Sequence, residues 1–144
     1  MSAGAGWLPF ALASAGFAAL TAIFAKIGVE AIDSNLATFV RTLFVVVLLG
    51  AVVAASGAAR GIGAIPARSW LFLALSAAAT GASWACYFHA LQLGPASRVA
   101  PIDKLSVAMV ALFGALFLGE RLAPAGWLGV AFIVAGALLV AFSK

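Results

Sequence analysis

The sequence predicts an all-α integral membrane protein built from five transmembrane helices. Three observations carry that prediction. Of 144 residues, 66% are hydrophobic and only 8% charged, whereas soluble domains carry about 25% charged residues. Five apolar runs approach or exceed the roughly 20 residues that cross a bilayer. The stretches between them are short and marked by Gly, Pro, Ser, Asp and Arg, which leaves no room for a soluble domain.

The first span covers about 7–25. No Lys or Arg precedes it, and its apolar run exceeds the 7–15 residues of a signal-peptide core, so it reads as a retained span. Pro9 sits in its first turn, where a missing N–H costs little. Ser14 and Thr21 lie two turns apart among Ala and Gly, residues that let membrane helices approach closely. In the connector 26–35, Asp33, Ser34 and Asn35 are N-cap types, so Glu30 and Asp33 read as a solvated, helix-capping loop.

The second span covers about 36–56. Arg41 lies about 8 Å inside it at 1.5 Å per residue. Thr38, Arg41, Thr42 and Val45 share one face. Either Arg41 snorkels to the headgroups, or it points into a wet cavity and holds an anionic substrate group. After a Gly- and Pro-containing connector, Ser69 is placed to cap the third span, about 70–93.

That third span is the most polar. Ser76, Thr80, Ser83, Trp84 and Tyr87 recur at steps of three and four and fall on one face. Hydroxyls and aromatics in such a stripe suit a substrate cavity at membrane depth. The plainer reading is hydrogen bonding between helices, at about 0.6 kcal/mol per contact; Trp84 and Tyr87 are bulky for that purpose. His89 lies off the stripe near the span's end and reads as structural or interfacial.

The fourth span covers about 98–119, with Ser97 placed to cap it. It carries Pro101, Asp103 and Lys104 past its first turn, where charges are costly unless paired or wetted. As helix neighbours, Asp103 and Lys104 should point about 100° apart and not face each other; one of them is left to pair with Arg41 or to face substrate, and interfacial anchoring is the alternative. Glu120 closes the span at the unfavourable end of the helix dipole, so Arg121 or a loop N–H should compensate it. The fifth span covers about 124–142. Pro124 suits a helix start, and Gly129 and Gly136 line one seam fit for close packing on another helix.

Three segments resemble a known family: 97–120, from Ser97 through PIDKLSV to LFLGE; KIGVEAIDSNLATFVRT at 26–42; and SWACYFHALQLGPASRVAP at 83–101. In that order they resemble single-domain EamA-type members of the drug/metabolite transporter superfamily, over nearly the whole chain. The resemblance implies half of a ten-helix inverted-repeat fold and transport of metabolites or drugs. Small multidrug resistance proteins of the same superfamily exchange protons for cationic drugs through a glutamate in their first helix. The first span here has no acid, which argues against that chemistry. With Arg41 and Lys104 as bases inside spans, a zwitterionic or anionic metabolite is favoured.

Five spans put the termini on opposite sides. Trp7, Trp70 and Trp127 begin spans one, three and five, so they mark one interface as an aromatic belt. Arg60, Arg68 and Arg121 lie on that side; Lys26, Arg98, Lys104 and Lys144 lie on the other. Three against four gives almost no positive-inside bias, and a chain without bias can insert both ways. Because carriers often use inverted repeats with the substrate between them, the expectation is an antiparallel homodimer in the cytoplasmic membrane of a prokaryote. It would bind a small-molecule substrate through Arg41, Ser76, Thr80, Ser83, Trp84, Tyr87, Asp103 and Lys104.

The runner-up is a non-transporting helper or subunit of a heteromeric membrane complex, with the polar stripe as a protein interface. The formal charge of +4 forms no run, which argues against nucleic acid. One His, one Cys and four acids, none at ligand spacing, with no P-loop or GxGxxG, argue against an enzyme, a metal or a cofactor. Cys86 stands alone and forms no intrachain disulfide.

Overall fold

The computed structural model describes residues 5–143; Lys144 lies outside them. Among the described residues the regular structure is all helical. After a 3₁₀ turn at Ala5–Trp7 come α1 (Leu8–Val29), α2 (Ser34–Ser56), a 3₁₀ segment (Ala58–Ala64), α3 (Ala67–Leu93), α4 (Ala96–Asp103), α5 (Ser106–Phe117) and α6 (Pro124–Phe142). Five stretches are long and apolar enough to cross a membrane; α4 and α5 together make the fourth, Ala96–Phe117. The chain divides into two compact units, one of residues 27–92 and one of residues up to 26 and from 93 onward.

Burial runs opposite to that of a soluble domain. The buried apolar residues are Ala22, Ala25, Val29, Ala37, Phe88, Leu91, Ala137 and Ala141. Most are alanines, as expected where helices meet through small residues rather than by excluding water. Large side chains point outward instead: Phe10 and Phe117 are each 79% exposed. In lipid such exposure costs nothing, because acyl chains are as apolar as the side chains.

In the unit of residues 27–92, the start of α2 is capped as the sequence suggests. Asp33 Oδ1 accepts from the Asn35 and Leu36 amides at 2.9 and 3.0 Å, satisfying two of the donors that a helix start leaves unpaired. α2 ends at Gly57, whose φ of 72° is a left-handed conformation that glycine adopts without a Cβ penalty. The end of α3 is fastened to this capped start. Gln92 Nε2 donates to the Ile32 carbonyl at 2.8 Å and to the Val29 carbonyl, at the end of α1, at 3.3 Å. Ser34 Oγ and His89 Nδ1 stand 3.5 Å apart, in keeping with a structural His89.

Two capping expectations fail for the same reason. α3 starts at Ala67, with the Trp70 amide bonded to the Pro66 carbonyl at 3.1 Å. α4 starts at Ala96, with the Arg98 and Val99 amides bonded to the Pro95 carbonyl. Ser69 and Ser97 therefore lie inside first turns and cap nothing. A proline stands just before each first helical residue, where its missing N–H is one that a helix start does not use, so α3 begins three residues and α4 two residues earlier than a serine cap would set them.

In the other unit, α4 packs against α6, and α5 packs on α6 as well. Arg98 of α4 donates to the Ser143 carbonyl at the end of α6, at 2.9 Å. The predicted continuous fourth span is interrupted. Pro101 supplies no amide to the ladder, and the turns after it tighten: Lys104 bonds to the Pro101 carbonyl, Leu105 to Ile102, and Val107 to Lys104. These are i to i−3 bonds of 3₁₀ type. The end of α5 folds back on itself. Gly119 has φ of 68°, the Glu120 amide donates to the Gly114 carbonyl at 3.0 Å, and the Glu120 carboxylate lies over buried Gly114. That bond satisfies a carbonyl at the end of α5; it is made by the Glu120 backbone, and is not the donor to the Glu120 carboxylate that the sequence called for.

Candidate functional site

The two long helices α2 and α3 run antiparallel within their unit, since Ser34 meets His89 and Arg41, further along α2, meets Trp84, further back on α3. Arg41 lies seven residues beyond Ser34, about 10 Å along the axis. Its guanidinium sits 4.1 Å from the Trp84 ring centroid and 5.7 Å from that of Phe88. Phe88 is one turn nearer the end of α3 that faces the start of α2. A snorkelling arginine would reach toward that end; this one lies closer to the deeper ring. Its guanidinium sits over an aromatic face between two candidate membrane-spanning helices, an attraction of about 0.5–2 kcal/mol that grows with desolvation.

The remaining stripe residues surround this pair unevenly. Trp84 and Tyr87 are half-buried, while Ser76, Thr80 and Ser83 are exposed. The Thr80 hydroxyl donates to the Ser76 carbonyl at 2.8 Å. On α2, Thr38 donates to Ser34 and Thr42 to Thr38 in the same way. These hydroxyl protons are spent on their own helices, so toward a ligand the three threonines act as acceptors. Arg41 Nη1 is buried and has no hydrogen-bond acceptor among the described residues.

Asp103 and Lys104 belong to the other unit, where they meet each other. Lys104 Nζ lies 3.2 Å from Asp103 Oδ2, with side chains 56% and 35% exposed. The expectation that these neighbours would not face each other is corrected here. α4 ends at Asp103 and the chain tightens at Lys104, so the 100° spacing of a continuous helix does not apply and the long lysine folds back on its neighbour.

Phe88, the second ring against Arg41, was not among the sequence-derived site residues, although it lies four residues from Trp84 on the same stripe. The clamp by Gln92 was missed as well; a polar side chain in the last turn of an apolar span was its signal. Among the described residues, no three His, Cys, Asp or Glu side chains gather into a group fit to hold a metal.

Residues 5–142 match the EamA-like transporter family. The chain belongs to that family. A Sinorhizobium protein described as an uncharacterized transporter in the cobO 3′ region is 61% identical over 135 residues, which is 94% of this chain and 96% of that protein. No solved structure matches. This EamA-like chain is thus a multi-pass membrane transporter, and its five spans correspond to one half of the drug/metabolite transporter fold.

Proposed function

We propose that this EamA-like protein is a secondary carrier of a small zwitterionic or anionic metabolite across the cytoplasmic membrane of a prokaryote, and that it works as an antiparallel homodimer. The observation that carries the charge class is Arg41, a cation stacked on Trp84 inside a span. Ionisable groups inside membrane spans are rare and mark substrate or ion pathways. The pair Asp103–Lys104 at the break between α4 and α5 supports the same reading. Irregular backbone at membrane depth persists only where protein or a wet cavity covers it, and broken helices frame the binding sites of carriers.

The dimer follows from symmetry. One five-span chain is one repeat, and a second copy inserted the other way up supplies the inverted repeat. Gly129 and Gly136 on α6 have open space where a side chain would stand, which suits close approach by another helix. A reporter active only in the cytoplasm, fused after Lys144, should report strongly, and so should one active only outside. Strong signal from one fusion alone would remove the antiparallel homodimer.

A second reading, an interface for another membrane subunit, is favoured by one observation: the Thr80 hydroxyl is already satisfied within its own helix. Single cysteines at Thr80 and Tyr87, with Cys86 replaced, separate the two. In a carrier both react with a water-soluble thiol reagent and are protected by transported solute. Inert cysteines in every condition would favour the interface.

A further inference from the structure

Hydrogen-bond accounting on the α2–α3 face singles out one group. The Thr38, Thr42 and Thr80 hydroxyls donate to backbone carbonyls. The Gln92 amide is spent on Val29 and Ile32. Arg41 Nη1, buried and with no acceptor among the described residues, is the exception. Neither α2 nor α3 contains an Asp or Glu to balance it. Asp33, in the adjoining connector, is engaged in capping α2.

Stacking on Trp84 cannot satisfy this group. A ring face attracts the charge but offers no lone pair to the N–H bonds, which lie in the guanidinium plane. A neutral carbonyl would accept one bond and leave the charge uncompensated. A carboxylate or phosphate oxygen pair does both, because its spacing matches the guanidinium fork. Seating the guanidinium 4.1 Å from the Trp84 centroid also restricts the directions from which the oxyanion can arrive.

We infer that Arg41 is the receptor for one oxyanionic group and that Trp84 is the positioning residue that aims it. The inference rests on the carrier reading only in assigning that group to cargo. The same chemistry exists in a soluble carboxylate and in a lipid phosphodiester.

The test uses the full chain in dodecyl maltoside micelles, which contain no phosphate, with acetate as the probe and saturation-transfer difference NMR as the readout. Acetate should bind saturably. Arg41→Gln should weaken it about 10- to 100-fold, the loss of a charge-assisted hydrogen bond. Trp84→Leu should weaken it about 3- to 30-fold, and Trp84→Phe, which keeps a ring face, should restore most of the loss. Arg60→Gln, in the connector, should change nothing. Equal acetate binding by the parent and Arg41→Gln overturns the inference. If Arg41→Gln does not fold, parent-like binding by both Arg41→Lys and Trp84→Leu overturns it instead. Added phosphatidylglycerol separates the sources: displacement of acetate at low mole fraction assigns the receptor to a lipid headgroup, and no displacement assigns it to soluble cargo. A protein that binds acetate at Arg41 but moves no solute upholds the receptor and removes the carrier reading. Unaltered transport and acetate binding in Arg41→Gln does the reverse.

Discussion

Two cations inside spans are handled in opposite ways. Arg41 sits on an unbroken helix, and its charge is met by rings of a neighbouring helix, with one nitrogen left buried and without an acceptor among the described residues. Lys104 sits where a helix stops, and its charge is met by the adjacent acid. The difference lies in the backbone. A continuous helix separates neighbouring side chains by about 100°, so a charge on it must look to a residue one turn away or to another element, and α2 holds no acid. A break lets two neighbours close on each other. The first arrangement leaves a charge available to a ligand. The second is locally neutral and self-contained.

Removing one charge from each region tests this contrast, and the largest effect is expected at the neutral pair. Lys104→Met strands Asp103 in a span, where a lone charge costs about 2.5–3.5 kcal/mol, and should lower the unfolding midpoint in micelles accordingly. Adding Asp103→Asn should restore most of it. If the single and double variants melt together, the pair is fully hydrated and the contrast is lost.

Arg41→Gln should behave with the opposite sign. A costly charge disappears, so stability stays level or rises, while solute counterflow in reconstituted vesicles falls by the equivalent of about 1.5–3 kcal/mol, roughly 10- to 100-fold. A loss of stability like that of Lys104→Met would show that Arg41 is structural. The smallest effect sharpens the frame around Arg41. Asp33→Ala removes the cap that sets the start of α2 and should cost about 1 kcal/mol of stability. A few-fold loss of transport should accompany it only if the register of α2 aims Arg41.

Hydropathy made the five spans legible, because a bilayer fixes both the length and the composition of what crosses it. The Asp33 cap was legible too, since capping depends on a few adjacent residues. Ser69 and Ser97 misled because a proline just upstream offers a competing start. The stripe on α3 could be read from spacing alone, but its meeting with Arg41 could not. Trp84 and Arg41 are 43 residues apart on different helices, and nothing local specifies which faces touch. Asp103 and Lys104 illustrate the converse. Their pairing is local, but it depends on where the helix ends, and the run 98–119 read as one continuous span.

The fold-back at Gly114 and Glu120 sets a length as well as a shape. A methyl group at position 114 would stand 2.7 Å from Glu120 Oε2, so a carboxylate from six residues downstream fills the space that a side chain at 114 would claim. The backbone closes the same interval, with the Glu120 amide on the Gly114 carbonyl at the exit from α5. Deleting one residue between them would pull the acid off its seat, and inserting one would push it past. The apolar run tolerates such changes, since a membrane span can tilt to absorb a residue. The bond from the Glu120 amide to the Gly114 carbonyl spans a set number of residues, and either change should break it.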